Sequence, residues 1–418
     1  MDHFNYRNGI LHAENVPLPA IAKAVGTPVY VYSRATLERH ADVFRNALAS
    51  VGPSEIAFAI KANPNLAVLR VLSRCGFGAD VVSGGELARA LAAGVPPKKI
   101  VFSGVGKSAS EMHAALEAGI GQFNIESEEE GLELAQAAEK FWPVACTLRV
   151  NPDVDAATHA KISTGGAAAK FGVAIHRAPS VYGRLAPLPG LDLRGIAVHI
   201  GSQLRSLDAL ERAFGRVGAL VAELRSDGHA ISHVDLGGGL GVPYMPGDIL
   251  PSPADYGAMV ERVTRGWNVT LMFEPGRVIA GNAGILLTRV VRIKQGDPEP
   301  FVIVDAGMND LARPALYDAY HHFEPVVEAR GRMTACIVGP VCETGDTFAR
   351  SRTFGEVATG DLAVFRTAGA YGATMASTYN SRDLVPEVLV DADRFAVVAD
   401  RIPATTVMAA ERVPDWLP

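Results

Sequence analysis

At 418 residues the chain is long for one domain, given roughly 150 residues per domain, and two are expected. Hydrophobic residues at 48% and charged residues at 20% exclude a disordered or fibrous chain. The net charge of −6 comes from interspersed acids and bases without a basic stripe, which argues against nucleic acid as a partner.

The opening Met1-Asp2-His3-Phe4-Asn5-Tyr6 has no basic segment leading into an apolar one, and no run of about 18 apolar residues follows. A cytoplasmic protein without a membrane partner is expected. The opening 30 or so residues, ending in Pro28–Tyr32, read as strand and are expected to join a later sheet.

From about residue 55 short β-branched runs alternate with segments of helical period, the pattern of repeated βα units. Eight strands are predicted: Glu55–Lys61, Gly78–Ser83, Lys99–Ser103, Gln122–Glu126, Ala145–Val150, Gly195–Ile200, His233–Leu236 and Asn268–Glu274. Eight such units suit a closed (β/α)8 barrel with its site at the C-terminal strand ends, where the polar and glycine-rich clusters fall; an open doubly wound sheet is the competing arrangement. After about residue 280 the runs Ile285–Lys294, Phe301–Asp305, Thr334–Val341, Asp361–Thr367 and Phe395–Ala399 predict a second, mainly β domain. The expected division is a barrel over 34–279 and a β-rich domain from 1–33 with 280–418.

Four scattered cysteines are too few for a disulfide framework or a metal knuckle, and no metal site is expected. Cys75, Cys146 and Cys336 read as buried small hydrophobes. Cys342 differs, standing among turn residues in Gly339-Pro340-Val341-Cys342-Glu343-Thr344-Gly345-Asp346.

Lys61 follows Ile56-Ala57-Phe58-Ala59-Ile60 directly, so a buried strand would deliver its amine to the barrel mouth. Burial favours the neutral amine and suits Schiff-base chemistry, while a solvated lysine, or one paired with Asp80, fits the same position. Gly237-Gly238-Gly239 follows the seventh strand, and Gly276-Arg277 the eighth, where barrels commonly bind phosphate through backbone N–H groups. Gly104-Val105-Gly106-Lys107-Ser108 imitates the end of a phosphate loop but has Val101 where the first glycine belongs, and is set aside. Glu274 either pairs with Arg277 or lies beside a cofactor ring nitrogen, and His199 is either a packed histidine or a ring-stacking one. Arg313 and Tyr317 are four apart and share a helical face, where both would read a carboxylate; Tyr371 adds a second phenol.

Together, Phe58-Ala59-Ile60-Lys61-Ala62-Asn63, His199-Ile200-Gly201-Ser202-Gln203, Asp235-Leu236-Gly237-Gly238-Gly239, Glu274-Pro275-Gly276-Arg277 and Gly339-Pro340-Val341-Cys342-Glu343 resemble the fold-type III pyridoxal-phosphate decarboxylases in order and spacing. The stretch from Val304 to Tyr317 is similar to the branch acting on meso-diaminopimelate. The resemblance covers nearly the whole chain. It implies pyridoxal 5'-phosphate held as a Schiff base on Lys61, with Asp80 nearby, His199 stacked on the ring and Glu274 at the pyridine nitrogen. It gives the phosphate to Ser202, Gly238, Gly239, Gly276, Arg277 and Tyr371. Cys342 becomes the proton donor, acting with Glu343 in the site of a second subunit, so that a homodimer with shared sites is implied.

The substrate class also has a physical argument. A zwitterionic far end requires cations for its carboxylate, Arg277 and Arg313, aided by the phenol donors of Tyr317 and Tyr371, and an acid for its ammonium, Glu343; a substrate with only a distal ammonium would leave a buried arginine uncompensated. The alternatives are a decarboxylase of the same fold for carboxynorspermidine, arginine or a carrier-bound amino acid, a racemase, and a non-catalytic binding relative. A racemase of this fold is disfavoured by Glu274, since alanine racemases place an arginine there.

Overall fold

The structure is a computed structural model that describes residues 2–141, 143–155, 164–166 and 169–417. The chain divides into two compact units, one made of Glu38–Pro243 and Ile249–Ile279, the other of Met1–Leu37, Tyr244–Asp248 and Ala280–Pro418.

In the first unit, short runs of buried residues form eight parallel strands: Ser54–Ala59 (β1), Gly78–Val81 (β2), Ile100–Phe102 (β3), Gln122–Ile125 (β4), Val144–Asn151 (β5), Leu191–Val198 (β6), His233–Asp235 (β7) and Thr270–Phe273 (β8). Each pairs with the next, and β8 returns to β1 through Leu271↔Ser54, Met272↔Glu55 and Phe273↔Ile56, closing the barrel. The open-sheet alternative is thereby excluded. Strands covered on both faces are continuously apolar rather than alternating, as in Ile100-Val101-Phe102. The helices between them bury one stripe each, Val68, Leu69, Val71 and Leu72 on Leu66–Arg74 for instance. Ser108 with Glu111, and Ser252 with Asp255, form capping boxes that fix where two helices begin.

The barrel interior is not wholly apolar. Asn124 on β4 is buried at the hub of a polar column, accepting from Gln122 Nε2 at 2.9 Å and Thr147 Oγ1 at 2.6 Å. Its amide donates toward the C-terminal ends of the strands, where polar chemistry collects.

The second unit is mainly β. Its longest strand, Gly284–Lys294, changes partner along its length, pairing antiparallel with Val29–Ser33, then Leu362–Phe365, then Phe301–Val304. Glu387–Asp391 runs parallel to Val29–Ser33, so the N-terminal strand joins the C-terminal sheet as expected. Leu11, Leu18, Ile21, Val31, Leu287 and Val388 meet in one core.

Three details correct the sequence reading. Leu18–Val25 is a helix, not strand: Leu18, Ile21 and Ala22 recur at helical spacing, and Pro19 sits in the first turn, where a missing N–H costs nothing. Thr347–Gly355 and Glu387–Asp391 are strands that the apolar runs did not mark. Cys75 is also half-buried at the end of its helix rather than buried.

Candidate active site

β1 stops at Ala59, and Ile60–Ala62 form a 3-10 turn closed by the Asn63 N–H on the Ile60 carbonyl. Lys61 therefore stands just beyond the strand end and not on the strand itself. The last ladder bond on this side runs from the Ala59 N–H to the Pro275 carbonyl after β8. Lys61 Nζ lies 2.9 Å from Oδ2 of Asp80, which is wholly buried in β2. Among the described residues nothing hydrogen-bonds Asp80 Oδ1, an orphaned buried acceptor of the kind that marks a site awaiting a donor.

Three strands converge on a second acid cluster. Asn124 from β4 donates to Asp235 Oδ2 at 2.9 Å, to Glu274 Oε1 at 3.1 Å and to Ser103 Oγ at 3.0 Å. Ser103 donates to Glu274 as well, and the Gly237 N–H donates to Asp235 Oδ1. Glu274 shares a hydrogen bond with Asp235, and burial together with the charges of Asp235 and Asp80 raises Glu274 well above the carboxylate range. Burial raises Asp235 as well, so the two carboxyls are disposed to share a proton. A buried acid that holds its proton near neutrality is suited to donating to a basic ring nitrogen. Glu274 turns to this cluster, while Arg277 turns to Ser202, Nη2 to Oγ 3.0 Å.

His199, after β6, is held neutral: burial and the cations of Arg149 and Lys61 depress it well below its usual value. Its Nδ1 accepts the Gly238 N–H at 3.1 Å, which places its proton on Nε2. The glycine loop after β7 leaves no room for side chains. A Cβ on Gly238 would lie 2.3 Å from the Glu274 carbonyl, and Gly239, at φ +123°, would press one to 2.6 Å from the Gly201 carbonyl. Gly276 opens the turn after β8, its carbonyl accepting from Ile279. These residues belong to one unit and come together at its strand ends.

The remaining expected residues belong to the β unit. Arg313 begins the helix Arg313–Tyr317 and is buried; Tyr317, half-buried, ends the same turn. Cys342 and Glu343 are exposed in the loop after Arg332–Val338. That loop is pinned by Asp346, which accepts the N–H groups of Val341 at 2.6 Å and Met308 at 2.7 Å, and by Asn380 Oδ1, which accepts the Cys342 N–H at 2.8 Å. Tyr379 donates to Glu343, which raises the phenol's pKa. Tyr371 occupies a left-handed conformation, φ +55°, in a loop whose Gly372 allows no Cβ beside Tyr30.

Ser103, Asn124 and Arg149 fall among the polar strand-end clusters but have no role legible in the sequence, and Asp235, Glu86 and Glu126 have none either. The available signal was a polar residue at the end of an otherwise apolar strand. Arg149 Nη1 lies 2.6 Å from Glu126, which also holds the Gly104 and Gly172 N–H groups. Lys107, the lysine of the false phosphate loop, is spent on the Gly104 and Asn124 carbonyls and on Glu130.

A (β/α)8 barrel presenting a lysine, a protonated acid and a glycine cradle at its strand ends has the parts of a pyridoxal-type lyase site. Residues 34–281 match the family profile described as pyridoxal-dependent decarboxylase, pyridoxal binding domain. The chain is 52% identical to the diaminopimelate decarboxylase of Zymomonas mobilis over 99% of both chains. Its structure is similar to that of diaminopimelate decarboxylase from M. jannaschii in complex with L-lysine, with a TM-score of 0.94 at 34% identity, covering 100% of this chain and 99% of that one. The Helicobacter pylori enzyme with L-lysine is similar at a TM-score of 0.90 and 35% identity, covering 94% and 98%. The chain belongs to the diaminopimelate decarboxylase family of pyridoxal-dependent decarboxylases.

Proposed function

We propose that this protein decarboxylates meso-2,6-diaminopimelate to L-lysine and CO2, the last step of lysine biosynthesis, using pyridoxal 5'-phosphate. The observation that carries the reading is the buried Glu274–Asp235 pair bridged by Asn124 at the strand ends of the barrel that also presents Lys61 and Asp80, in a chain whose full-length relatives bear the diaminopimelate decarboxylase name. Those relatives favour this substrate over carboxynorspermidine, arginine or a carrier-bound amino acid.

The residues fit the cofactor on three counts: a lysine amine held by Asp80 at a strand end, a buried acid raised toward keeping a proton, and a loop at Gly238 and Gly239 that a Cβ would fill. When bound, the cofactor supplies an electron-withdrawing ring that accepts the electron pair left by the departing α-carboxylate. Lys61 would hold it through its ε-amine, with Asp80 orienting that amine. Glu274 would face the pyridine nitrogen and hold a proton there, with Asp235 and Asn124 restraining the side chain. His199, held neutral, would lie against the ring. Ser202, Gly238, Gly239, Gly276, Arg277 and Tyr371 would hold the phosphate.

Arg277, Arg313, Tyr317 and Tyr371 read the distal carboxylate, and Glu343 the distal ammonium. Cys342 gives the proton to the α-carbon. Its exposure, with that of Glu343, supports a homodimer in which both enter the other subunit's site. We assign 34–279 to cofactor binding and 1–33 with 280–418 to the β-rich domain, in a cytoplasmic enzyme; no helix among the described residues is long and apolar enough to cross a membrane.

The test is the purified protein's absorbance spectrum with and without meso-diaminopimelate, followed by product identification. A visible cofactor band and release of L-lysine are expected. A spectrum without that band, or no lysine released, overturns the reading.

A further inference from the structure

Arg313 is nearly inaccessible, yet a guanidinium that is to read a carboxylate must be aimed as well as charged. Two neighbours within the β unit restrain it. Its Cζ lies 4.6 Å from the centroid of the Tyr244 ring, which sets the guanidinium's plane. Its Nη1 lies 2.8 Å from Nε2 of His321, which sets the rotation within that plane. His321 is 1% exposed and packs edge-on against the same Tyr244 ring, centroids 5.3 Å apart.

The hydrogen-bond roles of His321 follow from its partners. A guanidinium only donates, so Nε2 accepts; the Arg366 carbonyl, 2.9 Å from Nδ1, only accepts, so Nδ1 carries the proton. One neutral tautomer satisfies both. The backbone is held too, since the His321 carbonyl accepts from Arg352 Nη1 at 2.6 Å. An imidazole acceptor differs from a carboxylate in one useful respect: it orients the guanidinium without contributing a negative charge that would compete with a substrate carboxylate. The adjacent His322 is half-buried and lies near Glu324, so the two histidines are not equivalent.

We propose that His321 is a positioning residue that, with Tyr244, aims the Arg313 guanidinium at the substrate's distal carboxylate. This rests on the reading of Arg313 given above.

Two conservative variants separate aiming from packing. In His321→Asn the amide reaches the place of Nδ1, keeping the Arg366 contact and losing the acceptor for Arg313. In His321→Gln the amide reaches the place of Nε2, keeping the acceptor and losing Arg366. A lost hydrogen bond to a charged group corresponds to roughly ten-fold or more in affinity. His321→Asn should therefore raise KM for meso-diaminopimelate about ten-fold with kcat within about two-fold. It should weaken inhibition by L-lysine, which retains the distal carboxylate, by a similar factor, and leave inhibition by cadaverine, which lacks it, unchanged. His321→Gln should stay within about two-fold of the parent in all three. Equal losses in the two variants, or a parallel change for cadaverine, would mean packing alone and overturn the proposal. Should His321→Asn fail to fold, Tyr244→Leu is expected to produce the same selective loss for L-lysine over cadaverine, and an unchanged ratio overturns it. Arg313→Ala distinguishes the two levels: a normal KM there refutes the role of Arg313, whereas a raised KM with an inert His321→Asn refutes only the aiming.

Discussion

Buried carboxylates play different parts in the two units. In the barrel, Asp80, Asp235 and Glu274 are buried close enough for their charges to act on one another, and burial with the charges of Asp235 and Asp80 raises Glu274 well above the carboxylate range. In the β unit, Asp310 and Asp346 are supplied with backbone N–H groups, from Gly307 for one and from Val341 and Met308 for the other. Burial raises both, but those donors and Arg382 pull them back, and Asp310 stops at about 6. The first arrangement sets acids against one another, and the second uses charge to hold the backbone before Arg313 and around Cys342.

The largest effects should follow from the barrel. Lys61→Ala is expected to abolish the visible cofactor absorbance and reduce turnover by several orders of magnitude; a fully active variant would refute the scheme. Glu274→Gln should retain bound cofactor while kcat falls about 10²- to 10³-fold, because an amide cannot transfer its proton to the ring nitrogen. A kcat within a few-fold of the parent would show that the shared proton is incidental.

The β unit should respond differently. Asp346→Ala strips the acceptor from a buried N–H at Val341 and a part-buried one at Met308, at roughly 1–3 kcal/mol each, so about 2–6 kcal/mol of stability is expected to be lost in urea unfolding. Cofactor absorbance at low denaturant should survive. If it vanished with no loss of stability, the division between poised and structural acids would fail.

How legible these parts were in the sequence follows the same division. Lys61 and Glu274 stand at the ends of apolar runs, and Gly238 and Gly239 in an unmistakable cluster, so single-segment patterns located them. The partnership of Glu274 with Asp235 and Asn124 is set by register among β4, β7 and β8, which no single segment displays. Arg313 and Tyr317 were legible from their spacing, whereas His321 is defined by the carbonyl of Arg366, 45 residues away. Thr347–Gly355, Thr-Phe-Ala-Arg-Ser-Arg-Thr-Phe-Gly, is too polar to stand out as an apolar run, yet it pairs along Arg332–Val338.

The smallest effect would sharpen the contrast most finely. Glu86, near Asp80 and Lys61, accepts the Val82 N–H at 2.8 Å and is raised by burial from 4.5 to about 7, the N–H bond opposing that shift. Because the folded value lies above the unfolded one, the protonated side chain's contribution to stability is complete below about 4.5 and is lost as pH rises through about 7. Glu86→Gln cannot ionise, and its amide oxygen can still accept from Val82. The variant should match the parent near pH 4.5 and exceed it in stability at pH 8, by on the order of 1 kcal/mol once partial exposure is allowed for. Thermal midpoints measured across that range check the sign. A difference independent of pH would assign Glu86 to packing, and leave the barrel acids less strongly poised than the Glu274 cluster implies.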